Sequence, residues 1–329
     1  MVIAYGIALA MDWDRPYWAA FAIAFVSLST LEESVNKAMQ RLLGTLAGAV
    51  VALTIVALSI QDRWLFMLLL AGWIACATYL TSGTRHQYFW FVAGFVTAII
   101  AMESGPNSAA VFDTAVLRTE QTALGIIVYT VVAALVWPVR KEPQDSGQDS
   151  EASTQATGFP DPQRLRAALR IMMLLWAGYL AIIFVPDLPG GGSFLAMLTP
   201  LGMIICNTPQ IKPQMLIKPA ATSIIFAGFI YVLLLPKLSS FPELGLVIFG
   251  VTFAICYLFY EPQQALGRAF GLAIFTVVTG IQNEQSYNFL SVVTTSLMFA
   301  NLILLLAMSE MFSWPKQQAD DGGGNVVRA

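Results

Sequence analysis

The chain has 329 residues, of which 57% are hydrophobic and 11% charged, and its net charge at pH 7 is -3. An average soluble domain carries roughly 25% charged residues, so a water-soluble fold is excluded, because it could not hide so much apolar surface. Lys and Arg are scattered singly, which sets nucleic acid aside as a partner.

A bilayer core about 30 Å thick takes roughly 20 apolar residues per spanning helix. Apolar segments run over 2–11, 17–31, 42–60, 64–81, 88–102 and 116–137. After a polar gap they resume over 165–185, 194–206, 215–235, 244–260, 269–281 and 289–312. The pattern predicts an all-α polytopic membrane protein of about twelve transmembrane helices. An even number per half makes the halves two parallel six-helix repeats, 1–138 and 164–315. They are joined by a cytoplasmic linker, 139–163, and followed by a cytoplasmic tail, 316–329. An offset of about 177 positions pairs Trp137-Pro138 with Trp314-Pro315, Arg41 with Lys218 and Thr45 with Thr222.

Positive residues gather in cytoplasmic loops. With the amino terminus inside, thirteen Lys and Arg residues from Lys37 and Arg41 to Lys316 and Arg328 are cytoplasmic, and only Arg15, Arg63, Arg118 and Lys237 lie outside. Both termini are therefore expected inside. The first segment is short, with eleven residues before Asp12 against more than twenty between Arg164 and Asp187. An incomplete helix, or a start about ten residues upstream, is expected there. A signal peptide fits less well, since no basic residue follows Met1.

Short or interrupted spans at matching positions point to a binding site in repeat transporters. Helices 2, 5, 8 and 11 qualify, and Pro200 interrupts helix 8. Their polar side chains are Ser27, Ser29 and Thr30, then Thr97, then Thr199 and Asn207, then Thr276, Thr279 and Asn283. The competing reading is bilayer thinning and hydroxyls bonded to backbone. Glu120 lies about one turn inside helix 6, two residues after Arg118, and intramembrane acids mark proton paths or buried ion pairs. Two residues apart, Arg118 and Glu120 do not share a helix face. His86, before Gln87-Tyr88-Phe89-Trp90, belongs to an interfacial aromatic belt rather than a proton sensor. Cys76, Cys206 and Cys256 all fall in apolar stretches and read as packing. No nucleophile and base, metal set or cofactor motif is visible, so an enzyme is not expected.

The segment Asp14-Arg15-Pro16-Tyr17-Trp18-Ala19-Ala20, the run from Lys37 through Arg41, Gly44 and Thr45 to Gly48, and the stretch Tyr88 to Thr97 carry a resemblance, joined by Arg118-Thr119-Glu120, Gly125 and Trp137-Pro138. In these the chain resembles the fusaric acid resistance and aromatic acid exporter superfamily, over Pro16 to Pro138. On physics alone Pro16 starts helix 2, Tyr17 and Trp18 anchor it, and Gly44 and Gly48 let another helix approach closely.

The resemblance implies efflux of small organic anions, aromatic carboxylic acids above all, across a bacterial inner membrane. Proton coupling is left open, and a periplasmic membrane-fusion adaptor is an expected partner. Arg41, Lys218 and Arg118 would attract the carboxylate, Tyr17 and Trp18 would face the ring, and Glu120 would carry the proton. Distant plant relatives are anion channels built from paired six-helix subunits, which keeps a homodimer and a passive organic-anion channel as alternatives. A non-transporting envelope scaffold is a third.

Overall fold

The computed structural model describes residues 1–26, 31–59, 61–84, 86–103, 108–136, 161–208, 210–261, 264–285 and 287–311. In chain order the α-helices are α1 (Val2–Ala10), α2 (Tyr17–Val26), α3 (Leu31–Leu58), α4 (Arg63–Thr81), α5 (Gln87–Glu103) and α6 (Ser108–Val136). Then follow α7 (Pro162–Phe184), α8 (Gly192–Asn207), α9 (Ile217–Phe229), α10 (Phe241–Leu258), α11 (Ala265–Thr279) and α12 (Phe289–Met311).

Their ends have local causes. Asp62 accepts from the amides of Trp64 and Leu65 at 2.8 and 3.2 Å, serving donors that the first turn of α4 leaves open. Asp161 does the same for α7 through Gln163 N at 2.9 Å. On α10 the Glu243 carboxylate reaches back to the amides of Ser239 and Ser240 at 3.0 and 3.3 Å. At the end of α11, Gly280 takes a left-handed φ of 46° that glycine adopts without strain, and its N–H closes on the Thr276 carbonyl at 3.0 Å.

Among the described residues, seven stretches are long and apolar enough to cross a bilayer: 38–58, 63–81, 110–136, 162–184, 213–237, 241–258 and 289–310. About twelve transmembrane helices in two parallel six-helix repeats is therefore corrected. The fold is all-α and polytopic, but α1, α2, α5, α8 and α11 have only 9, 10, 17, 16 and 15 residues. The physical reason lies in what surrounds three of them. Every residue from Phe91 to Ala101 of α5 is buried, as is every residue from Phe194 to Met203 of α8 and from Ala269 to Thr276 of α11. A helix that is apolar on all sides is enclosed by protein or by lipid, and these short ones are enclosed by protein. The lipid-facing stripes belong to the long helices: Ile127, Val131 and Leu135 on α6, and Phe249, Phe253 and Tyr257 on α10, are all exposed.

No internal repeat is evident either. Where α3 is one continuous helix of 28 residues, the stretch 213–237 is built from unlike pieces. A 3-10 turn (Pro213–Leu216) leads into α9, and a π turn (Ile230–Leu234) and a second 3-10 turn (Leu235–Lys237) follow it. The Leu235 carbonyl at this irregular end accepts from the Tyr287 hydroxyl at 3.0 Å. Residues 139–160 of the expected linker, the tail 316–329, both Trp-Pro pairs, Arg85, and Ser27, Ser29 and Thr30 lie outside the described residues.

At the centre, α5 packs along α3, α4 and α8. The α3 contact depends on Gly44 and Gly48. A Cβ on Gly44 would stand 2.8 Å from the Phe89 carbonyl, and one on Gly48 would stand 2.9 Å from that of Ala93. Thr97 closes the seam: its hydroxyl lies 3.0 Å from the Gly48 carbonyl and 2.7 Å from that of Ala93, and it accepts from Trp73 Nε1 at 3.0 Å. Gly48→Leu must push α3 away from α5, an overpacking cost of about 1–3 kcal/mol. Thermal unfolding of the purified variant should show a clearly lowered Tm. Gly72→Leu, at a glycine with nothing within 4 Å, should match the parent.

Candidate functional site

Each end of α5 holds a buried arginine from a neighbouring helix. Near its start, the Tyr88 hydroxyl accepts from Arg41 Nη1 of α3 at 3.0 Å. Its last residue, Glu103, accepts from Arg118 Nη2 of α6. Tyr88 and Glu103 are about 22 Å apart at 1.5 Å per residue, and a cavity lies between, against Phe95, Val96 and Ile99.

Trp18 and Phe21 of α2, Arg41 and Thr45 of α3, and Arg118 and Thr122 of α6 complete its walls. The cavity spans about 320 Å³ including its open mouth, yet only about 20 Å³ of it can hold the centre of a water. That is room for roughly one water. An aromatic ring does not fit there without movement of the walls.

Arg41 and Arg118 are 3% and 6% exposed, and charges buried to that degree need compensation. The Arg41 guanidinium lies 5.8 Å from the Phe95 ring centre. That of Arg118 lies over the Trp18 ring, 3.3 Å from its centre, where the π face attracts a cation. Trp18 in turn meets Phe21 edge-on at 4.8 Å. Glu103 is shared, because the same Oε2 also accepts from Arg15 Nη1 at 2.9 Å. Arg15 stands half-exposed on the turn between α1 and α2, with φ at 54°. Buried Gln121 of α6 fixes this turn by donating from Nε2 to the carbonyls of Asp14 and Arg15 at 2.6 and 3.2 Å.

One donor in this cluster has no acceptor in the protein: Arg118 Nη1 is buried without a hydrogen-bond partner. Such a group costs about 1–3 kcal/mol. It belongs to a side chain lining the cavity, and a bound carboxylate there would supply an acceptor oxygen.

Of the residues expected from sequence, Arg41, Arg118 and Trp18 are brought together. Tyr17 is half-buried beside Trp18, with ring centres 5.5 Å apart, and does not line the cavity. Thr97 is occupied in the α3–α5 seam. Thr199 and Thr276 are buried and donate to their own helices, to Leu195 O at 2.9 Å and Ala273 O at 2.8 Å. Thr279 likewise donates to Phe275 O at 2.7 Å. At the far end of α8, Asn207 Oδ1 accepts from Ser82 at 2.6 Å. Asn283 donates to the Leu9 carbonyl at 3.0 Å. Lys218, Glu120 and His86 are exposed, Lys218 on α9 and Glu120 on the outer face of α6.

Sequence reasoning passed over Glu103, which closes an apolar segment and reads there as the first residue of a loop. It also passed over Phe21 and Phe95, which look like any other apolar helix residue.

All the cavity-lining residues lie between positions 18 and 122, and residues 1–159 match the fusaric acid resistance protein family. Over that part the chain is similar to the fusaric acid resistance superfamily. Among its relatives is an uncharacterised transporter of Escherichia coli K12, YdhK, 29% identical over 131 residues, which are 39% of this chain and 20% of the relative. The Salmonella typhimurium protein of the same name is 31% identical over 39% of this chain and 19% of its own length. The p-hydroxybenzoic acid efflux pump subunit AaeB of Escherichia coli K12 is 24% identical over 163 residues, 46% of this chain and 25% of that subunit. The chain thus spans about a fifth to a quarter of the length of the curated relatives it matches. No solved structure matches it. Its seven long apolar stretches are those of a multi-pass membrane protein. Among the described residues, no three His, Cys, Asp or Glu side chains gather as metal ligands.

Removing one member of a buried ion pair costs about 3–5 kcal/mol, whereas replacing both by apolar groups is close to neutral. Glu103→Leu and Arg118→Met should therefore each lower the thermal stability of the purified protein. The double variant should recover most of the loss, because Arg15 keeps access to water.

Proposed function

We propose that this protein exports aromatic carboxylates, and that the anion binds in the cavity between α2, α3, α5 and α6. The observation that carries the reading is the buried donor without an acceptor, Arg118 Nη1, in a cavity that also holds Arg41 and the rings of Trp18, Phe21 and Phe95. A carboxylate oxygen would complete it. Guanidinium matches carboxylate in plane and spacing, and a ring beside Trp18 or Phe95 gains contact area and edge-to-face attraction.

The relatives named as p-hydroxybenzoic acid efflux pump subunits support the substrate class, and the word subunit supports a partner such as a periplasmic adaptor. The distribution of Lys and Arg supports both termini in the cytoplasm. Since the cavity admits about one water, substrate enters only as the surrounding helices part. That favours a carrier over an open passive channel. In this role Arg118 both neutralises Glu103 and receives the substrate, while exposed Glu120 stands apart from the cavity.

Benzoate should quench tryptophan fluorescence of the purified protein and raise its Tm, whereas the neutral isostere benzamide should do neither. Losing a charge-assisted bond removes about 1.5–3 kcal/mol, so Arg118→Gln should weaken benzoate binding roughly 10- to 100-fold. Trp18→Phe keeps the ring and loses only the donor, so its effect should be smaller. Equal affinity for benzoate and benzamide, or no response to Arg118→Gln, would sink the proposal.

A further inference from the structure

Phe21 is a wall of two cavities. One of its sides faces the arginine-lined cavity, and the other faces a second cavity of about 410 Å³ including its open mouth, reached across α2. The second cavity is lined entirely by apolar side chains, among them Met197 and Pro200 of α8, Phe270 and Ala273 of α11 and Phe299 of α12. The helix arrangement explains why the two adjoin, because α2 packs against α6 on one side and α11 on the other. In this conformation a water-sized sphere can be centred in only about 20 Å³ of either cavity. Phe21, 3% exposed, stands between them.

We infer that the two cavities are head and tail compartments of one substrate site, with Phe21 as the partition that sets how long a carboxylate fits. The inference rests on the function proposed above and extends it to a substrate class: carboxylates whose apolar body is longer than one ring. The carboxylate takes the open donor of Arg118, and the body lies past Phe21 among Met197, Ala273 and Phe299. A cavity with no polar group on its walls stays dry and accepts apolar guests. Two features let these walls move. Met197 is unbranched and adapts its shape readily. Pro200 brings no N–H to the Ala196 carbonyl, so α8 lacks a hydrogen bond where it borders the cavity. Phe21 lies one turn beyond Trp18, so a shift of α2 that admits the anion also moves the partition.

The test uses the full chain in nanodiscs and a series of benzoate, 4-propylbenzoate and 4-hexylbenzoate, with affinities read from tryptophan quenching. Affinity should rise along the series, towards a limit of roughly fourfold per methylene. Ala273→Leu, which fills the second cavity, should flatten the rise measured in the same lipid. Phe21→Ala, which removes the partition, should raise the ratio of 4-hexylbenzoate to benzoate affinity above the parent's. Arg118-dependent benzoate binding with a chain-length series unaltered by either variant would overturn the two-compartment site and leave the exporter reading standing. Absence of Arg118-dependent benzoate binding would overturn both.

Discussion

A guanidinium cannot sit inside a membrane protein without something to answer its charge, and the placing of Arg118 organises the surroundings of the cavity. It needs a carboxylate, so Glu103 at the end of α5 comes to α6. It needs a surface that favours cations, so Trp18 turns its face inward from α2. Glu103 then has capacity for a second cation, and Arg15 ties the α1–α2 turn to the same point. Three helices and one turn meet around a single charge. After all of this one guanidinium nitrogen still lacks an acceptor, and in the function proposed above it is that remainder which an anion would meet.

The fold was legible in part. Composition fixed the class, and segment lengths singled out the second, fifth, eighth and eleventh helices as unusual. What hydropathy could not supply was the reason for their shortness. Phe91 to Ala101 of α5 reads as a greasy run whether lipid or protein lies around it, because both exclude water. Only packing separates the two cases, and it places α5, α8 and α11 inside a shell of longer helices. The twelve-span, two-repeat architecture failed on that ambiguity. Pairings such as Arg41 with Lys218 proved equally weak evidence of a repeat, since one member is buried on α3 and the other exposed on α9.

The lining of the candidate cavity was legible where chemistry leaves few options. Arg118 and Arg41 stand out because cations in apolar segments are expensive, and Trp18 stands out in a dense aromatic segment. Glu103 did not, because an acid at the end of an apolar run is the ordinary sign of a loop. Glu120 drew attention by depth along its helix alone, and depth says nothing about azimuth. It lies on the outward face of α6, two residues from Arg118. The threonines fell to a simpler competitor: the hydroxyls of Thr97, Thr199 and Thr276 find carbonyls on their own helices or a neighbour, which leaves them little for a ligand.

The π turn at Ile230–Leu234 has a consequence for topological reading of the stretch 213–237. A π turn is in effect one residue too many in an α-helix. At 3.6 residues per turn, that surplus rotates everything after it by about 100° relative to a uniform helix. A helical wheel drawn straight through the stretch would therefore misplace positions past Ile230 by about a quarter turn. Chemical mapping of that segment needs two wheels, with their phases set independently on either side of the irregularity.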